Sequence, residues 1–190
     1  ARLKINDGKI EIYCGASDIG QGCATVFVQM VSESLGLPKS KIKNMGSNSE
    51  VDPDSGTTSG SRQTLISGEA IRRVSVEVKA ALDEAGGDLD KLNGREFYAE
   101  YFEPTDKLGA DVPFPKSHVA YAYATHLVVL DDEGKVSKVI AAHDSGKVVN
   151  PISIQGQIEG GVLMSLGYAL TKILNFRIVW LSQSSVHSVL

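Results

Sequence analysis

Three stretches of this chain hold the residue types that grip anions and polar heterocycles, and each leads into a helical pattern. The first is Asp18-Ile19-Gly20-Gln21-Gly22. Gly20 and Gly22 let the backbone approach a ligand closely, and Gln21 presents an amide that both donates and accepts. The second runs Gly56-Thr57-Thr58-Ser59-Gly60-Ser61-Arg62-Gln63-Thr64, with hydroxyls at Thr58, Ser59 and Ser61 and a guanidinium at Arg62. The third runs from Asn150-Pro151 to Gln157, with Gln155 and Gln157 on the first turns of a helix. Orphan N–H groups and the helix dipole both attract phosphates to such places. Each stretch alone also has an ordinary reading: a tight turn, a run of capping hydroxyls, a solvated glutamine. The Gly20-Gln21-Gly22 loop is neither a Walker loop nor the dinucleotide fingerprint, so generic nucleotide binding has little support.

Simpler chemistries find no constellation. His118, His126, His143 and His187 show no metal-ligand spacing, and Asp131-Asp132-Glu133 reads as a solvated hairpin tip. His143, Asp144 and Ser145 are chain neighbours on a strand; alternate residues face opposite sides, so adjacency does not make a hydrolytic triad. Cys14 and Cys23 match no metal-binding spacing and read as buried free thiols of a cytoplasmic protein. Two thiols cannot hold an iron–sulfur cluster. The 190 residues carry a net charge of -4 and are 42% hydrophobic and 22% charged, the composition of a globular domain without the basic face that nucleic acid or anionic membrane requires. No apolar run reaches the roughly 20 residues that span a bilayer. The start at Ala1, inside a strand and without a signal-peptide core, reads as a chain cut from a longer one.

The elements that must position these loops follow from periodicity. Ala1–Ile5 and Lys9–Gly15 read as a hairpin about the turn Asn6-Asp7-Gly8. A helix is expected over 23–35, with Val26, Phe27, Met30, Val31 and Leu35 inward and Gly36 and Pro38 ending it. Lys41–Met45 suits a short strand. Ser59 or Ser61 offers an N-cap for a second helix reaching Ala85, with Leu65, Ile66, Ala70, Val74, Val78 and Ala81 as its apolar stripe and Gly86-Gly87 as its stop. Residues 88–117, with Pro104, Pro113 and Pro115, read as an irregular surface excursion. Strands at 119–130 and 136–143 flank a hairpin turn, and a third helix is expected from Ile152 to Leu170, with Ile154, Ile158, Val162, Leu166 and Leu170 on one face. Residues 172–190 break character and read as an atypical tail. The fold class is α+β, or mixed α/β, with strands interleaved among three main helices. The main region is 1–171, open to division into subdomains 1–87 and 118–171 joined by 88–117.

The set of motifs is more specific than its parts. G-A-S-D-I-G-Q-G-C-A-T-V-F-V-Q-M, then D-P-D-S-G-T-T-S-G-S-R-Q-T-L-I-S-G-E-A-I, then H-D-S-G-K-V-V-N-P-I-S-I-Q-G-Q-I-E-G-G-V resemble the xanthine dehydrogenase and aldehyde oxidase family. The blocks keep the family's order and span residues 10–171. The resemblance implies a molybdopterin, also known in the family as a cytosine dinucleotide, whose molybdenum takes no ligand directly from the protein. Ile19, Gly20, Gln21 and Gly22 match the segment that contacts pterin and phosphate. Thr58, Ser59, Gly60, Ser61, Arg62 and Gln63 match the hydroxyl-rich turn, with Gly60 nearest the metal's ligand sphere, and Gln157 matches a helix-start glutamine on the pterin.

The implied activity is hydroxylation of a purine, an N-heterocycle or an aldehyde, with water as the oxygen source and a glutamate as general base. That glutamate belongs to a G-x-G-E segment that the resemblance places past the end of this chain, so the catalytic residues are unknown here. The chain is expected to be inactive alone. FAD and iron–sulfur clusters are expected in partner domains or subunits, alongside the missing halves of the large subunit. A fragment serving as a non-catalytic assembly or interaction module is the alternative. Uncovered apolar surface would make the chain self-associate.

Overall fold

The chain is described by a computed structural model over residues 1–107 and 109–171. The segment read as an atypical tail, 172–190, lies outside the described residues. Two compact units share the chain: one takes 1–121 with 147–150, the other 122–146 with the residues from Pro151 on.

The first unit is built on a four-stranded sheet in the order β3-β2-β1-β4. Its hairpin pairs β1 (Arg2–Asn6) with β2 (Lys9–Tyr13), Leu3 opposite Ile12 and Ile5 opposite Ile10. Asp7 and Gly8 both take positive φ, 48° and 65°, the left-handed pair that a tight two-residue hairpin needs. Along both strands every second side chain is buried, so Leu3, Ile5, Ile10 and Ile12 form one apolar face.

Helix α1 (Cys23–Leu35) leaves β2 and returns the chain to β3 (Ile42–Asn44), which pairs parallel to β2. A parallel pair needs such a crossover. Cys23, Phe27, Val31 and Leu35 are its buried stripe, four residues apart, while Val26 and Met30 are only half-buried. Gly36 ends it in the left-handed conformation, its N–H donating to Ser32 O at 3.0 Å.

Helix α2 (Gly68–Glu84) packs on α1 and on the sheet. Its start differs from the expected one. Residues Gln63–Ser67 form a π-helical turn, and no side chain caps it, so neither Ser59 nor Ser61 serves as N-cap. Ser61 is instead a left-handed residue, φ 57°, in the loop before it. The buried stripe gains Ile71, Ser75 and Leu82 and loses Leu65, which is 39% exposed. Leu65 precedes Val74 by about two and a half turns and so points the opposite way. Gly68 is fully enclosed at the helix crossing: a Cβ there would stand 2.9 Å from Met30 Cε.

The stretch read as irregular, 88–117, contains order. Leu89–Leu92 make a 3-10 turn whose two leucines are buried, and β4 (Glu96–Tyr98) pairs antiparallel with β1. Three residues, Glu-Phe-Tyr, are too few to show a period; the strand exists because β1 offers it an edge.

In the second unit β5 (Tyr123–Leu130) and β6 (Val136–Asp144) form an antiparallel hairpin with a bulge at Val129/Leu130. Asp131 closes its turn by accepting from the N–H groups of Glu133 and Lys135 at 3.0 and 2.8 Å. Helix α3 (Pro151–Thr171) lays Ile154, Ile158, Val162 and Leu166 along Val139 and Ala141 of β6. Those four are half-buried as the periodicity implies, but Leu170 is 62% exposed.

Candidate functional site

Two of the three stretches singled out from the sequence meet in the first unit. The loop between β2 and α1 and the loop before α2 are joined by several hydrogen bonds, two of them between the stretches singled out from the sequence. Ser17 N–H donates to Thr58 Oγ1 at 3.0 Å, and Gln21 Nε2 donates to Gln63 Oε1 in a short hydrogen bond. Gln21 Nε2 also reaches Ser17 O at 3.3 Å, and its Oε1 accepts from Ile19 N–H at 2.6 Å. The Gln21 amide is thus fully used in tying the loops. Gln63 Nε2 is not: it is buried without an oxygen acceptor and has only the weakly accepting Cys23 thiol beside it. A buried donor left unpaired costs about 1–3 kcal/mol, so this atom marks where a ligand acceptor would be welcome.

The N-terminus of α1 departs from the expectation of an open anion cradle. Asp18 already fills it. Its carboxylate accepts from Gly20 N–H at 2.9 Å, Gly22 N–H at 3.3 Å and Ala24 N–H at 3.5 Å. The Gly20 N–H, helped by those of Gly22 and Ala24, holds the Asp18 carboxyl below the usual carboxylate range, against a smaller opposing effect of burial. The helix dipole is therefore satisfied by the chain's own anion. What the loop still offers outward is its bare surface: Gly20, at φ 100°, has no atom within 4 Å of a notional Cβ, and Ile19 is 73% exposed.

The second loop is held by its own guanidinium. Arg62 Nη1 donates to Thr57 O at 2.7 Å and Ser55 O at 3.0 Å, and a Cβ on Gly56 would meet that same Nη1 at 3.0 Å. Arg62 is thus a staple as well as a charge. Gly60 and Ser61 follow one another in the left-handed region at φ 61° and 57°, which turns the Ser59 and Ser61 residues to the exposed side. A residue missed from the sequence faces them: His118, whose Nε2 and Cδ2 would lie 3.3 and 3.2 Å from a Cβ on Gly60. Its Nδ1 pairs with Ser117 Oγ at 3.0 Å. Nothing in the spacing of His118 announced this, because 58 positions of chain separate it from Gly60.

From Pro151 on, the third stretch belongs to the second unit. Gln157 is exposed on the first turns of α3, and Gln155 Nε2 donates to Glu159 Oε1 at 2.7 Å. Glu69, at the start of α2, is held by Arg72 at 2.7 and 2.9 Å and by Arg73 at 2.9 Å. The Arg72 hydrogen bond above all, then that of Arg73, lowers the Glu69 carboxyl to about 2 against the opposing burial. A carboxylate so committed is a poor proton acceptor. Cys14 and Cys23 are free and buried, and burial pushes the Cys23 thiol up, leaving it unreactive. His143 and Asp144 form no triad: His143 pairs with His126, and Asp144 accepts from Gly146 N–H.

The fold mixes helices with two sheets, and two of the polar, glycine-bearing loops lie together in the first unit. The model of the molybdopterin cofactor-binding domain matches residues 1–177, and the chain belongs to that family. It is 27% identical over 203 residues to the xanthine dehydrogenase molybdenum-binding subunit of Escherichia coli O157:H7, covering 90% of this chain and 27% of that one. It is 28% identical to the aldehyde oxidoreductase of Megalodesulfovibrio gigas, covering 87% and 20%. The solved aldehyde oxidoreductase from Desulfovibrio gigas superposes with a TM-score of 0.71 at 26% identity, over 88% of this chain and 20% of that one. The chain spans about a quarter of the length of the curated relatives it matches.

Proposed function

We propose that this chain cradles the cofactor of a molybdenum hydroxylase of the xanthine dehydrogenase and aldehyde oxidase type, whose substrate is a purine, an N-heterocycle or an aldehyde. The observation that carries the reading is the joined loop pair with Gln63 Nε2 buried between them without an oxygen acceptor. A pterin or phosphate oxygen would satisfy that donor. Bound there, the molybdenum–pterin group supplies the redox centre for a hydroxylation that draws its oxygen from water.

The chain's own residues do the positioning. Ile19, Gly20 and Gly22 give a backbone surface without side-chain obstruction, and Gln21 fixes the spacing of the two loops. Thr58, Ser59 and Ser61 offer hydroxyls, Gly60 a close approach, Arg62 positive charge and Gln63 the free amide. Gln157 is proposed as a further contact from α3. The general base, FAD and iron–sulfur clusters are assigned to other segments or subunits, with the chain inactive alone. In its favour, the Glu69 carboxylate is committed to Arg72 and Arg73. The dinucleotide form of the cofactor is a further proposal, resting on the family. The parent enzyme is read as cytoplasmic, in keeping with two free thiols; no helix among the described residues is long and apolar enough to cross a membrane.

The test is molybdenum and oxidised-pterin content of the purified chain, made in a host that synthesises the cofactor. Stoichiometric pterin in the wild type, with a severalfold loss in Gln63→Leu, is the expected result. Equal loading of both would remove Gln63 from the site, and no pterin on either would mean these loops do not suffice as a cradle.

A second reading, an assembly module, is favoured by the second unit, where Leu127, Leu130, Ile140, Ile152 and Leu163 are each at least 45% exposed. Such a surface promotes self-association. A monomer at every concentration in light scattering would argue against it.

A further inference from the structure

We propose that the β5–β6 hairpin carries a two-imidazole site for a late first-row divalent cation, Ni(II) or Cu(II), formed by His126 and His143. The site stands on the second unit alone and is independent of the cofactor reading.

The register creates the pair. His126 lies opposite Ala141 and His143 opposite Ala124, so the two histidines are diagonal neighbours on one face of the ladder. Both are exposed, and their Nε2 atoms are 2.8 Å apart with ring centroids 4.9 Å apart. Adjacent alanines leave the rings room, and ladder pairing on both sides, from Tyr123↔Asp144 to Val128↔Val139, fixes the strands that carry them. The geometry is therefore preorganised by backbone rather than by flexible loops.

Two imidazole nitrogens 2.8 Å apart share a single proton: one donates and the other offers its lone pair. If the donor's proton moves to its own Nδ1, no net proton leaves the neutral pair, and a turn of the two exposed rings brings both Nε2 lone pairs to converge on a metal beside them. An imidazole nitrogen sits about 2.0–2.1 Å from such a metal. At a right angle about the metal the two nitrogens would be about 2.9 Å apart, and at a tetrahedral angle about 3.4 Å. The observed 2.8 Å lies near the right-angle span, the cis arrangement of square-planar or octahedral Cu(II) and Ni(II), metals that imidazole suits and that bind N-donor sites tightly among the first-row divalents. No group of three or more His, Cys, Asp or Glu placed to hold a metal ion occurs among the described residues. The remaining positions on the metal therefore go to water, which makes the site exchangeable, not structural.

The experiment titrates the full chain with NiCl2 or CuSO4 alone, in competition with a chromophoric chelator, and records the Cu(II) electron paramagnetic resonance spectrum. One equivalent should bind, with superhyperfine splitting from two nitrogens. His126→Gln and His143→Gln should each weaken binding about a hundredfold, the loss of an intramolecular second ligand, and reduce the pattern to one nitrogen. The double variant should bind more weakly than either single variant and lose the nitrogen splitting altogether. Far-UV circular dichroism checks that each variant keeps its fold. Unchanged spectra in both single variants, or affinity no tighter than that of a one-imidazole variant, would overturn the proposal and leave the pair as a hydrogen-bonded contact.

Discussion

A methyl group placed on Gly15 would stand 2.7 Å from the carbonyl oxygen of Pro53 and 3.4 Å from Ser55 N. The first distance is closer than real Cβ atoms approach, and the obstacle is backbone, so it cannot swing away. Relieving it to an ordinary contact of about 3.4 Å moves the Pro53 loop by roughly 0.7 Å. The Gly15 N–H to Pro53 O hydrogen bond, now 3.1 Å, would then lengthen to about 3.8 Å and be lost. Overpacking costs roughly 1–3 kcal/mol and the lost bond about 1 kcal/mol, while alanine's stiffer unfolded chain offsets about 0.5 kcal/mol. Gly15→Ala should therefore destabilise the first unit by roughly 2–3 kcal/mol, seen as a lower midpoint in urea denaturation with unchanged slope. Because Ser17 N–H meets Thr58 only two residues on, the same variant should also retain less pterin. Gly156→Ala is the control. Gly156 is helical in α3, with nothing within 4 Å of a Cβ, so alanine there should be neutral or stabilising by up to about 1 kcal/mol. A Gly15→Ala chain within about 0.5 kcal/mol of wild type, or the same sign for both substitutions, would refute the steric argument.

Asp18→Ala strips three N–H groups at the start of α1 of their acceptor and should cost about 0.5–2 kcal/mol. Because the folded carboxyl titrates below its unfolded value, its contribution is present above the ordinary carboxylate range and lost as pH falls; an acid limb identical in wild type and variant would contradict this. Ser75→Ala should raise stability by about 1 kcal/mol, since Ser75 is fully buried and its hydroxyl lacks a partner; a lower melting temperature would show that the hydroxyl is satisfied after all. Glu69→Gln should lose roughly 1–2 kcal/mol at neutral pH, well short of the full linkage value because the arginines are half-exposed. The stabilisation of Glu69 is complete above its ordinary 4.5 and disappears towards about 2, so the difference between wild type and variant should close across that window in pH-dependent denaturation.

Helix α1, the hairpin turn at Asp7-Gly8, the closure of the 131–135 turn and the half-buried stripe of α3 were legible because each depends on neighbours within a few residues. A period of 3.6 or 2, a left-handed glycine and an Asx turn are local physics. The family was legible for a related reason, since three motif blocks keep their order along the chain. The apolar stripe of α2 was only partly readable. Ile71, Ser75 and Leu82 are buried because α1 and the sheet meet that helix broadly, and the π-helical turn at 63–67 shifts its start.

Other features answer to partners far away in sequence. Strand β4 exists because β1 has an open edge, not because Glu-Phe-Tyr prefers extension. Asp18 could have been a ligand contact; folding curls the loop back so that its carboxylate caps α1 before any outside anion arrives. Gln21 and Gln63 read as two separate amides, and only their approach leaves one Nε2 buried without an oxygen acceptor. His118 reaches Gly60, and His126 reaches His143, across intervals that no spacing rule spans. The amino-acid sequence by itself determined most helices and strands, the α1 stop and the family; the tertiary structure decided β4, the start of α2 and which polar groups are spent on one another. Element formation is governed by short-range backbone and side-chain preferences, whereas hydrogen-bond satisfaction is settled only when distant groups are brought within about 3 Å and sealed from water.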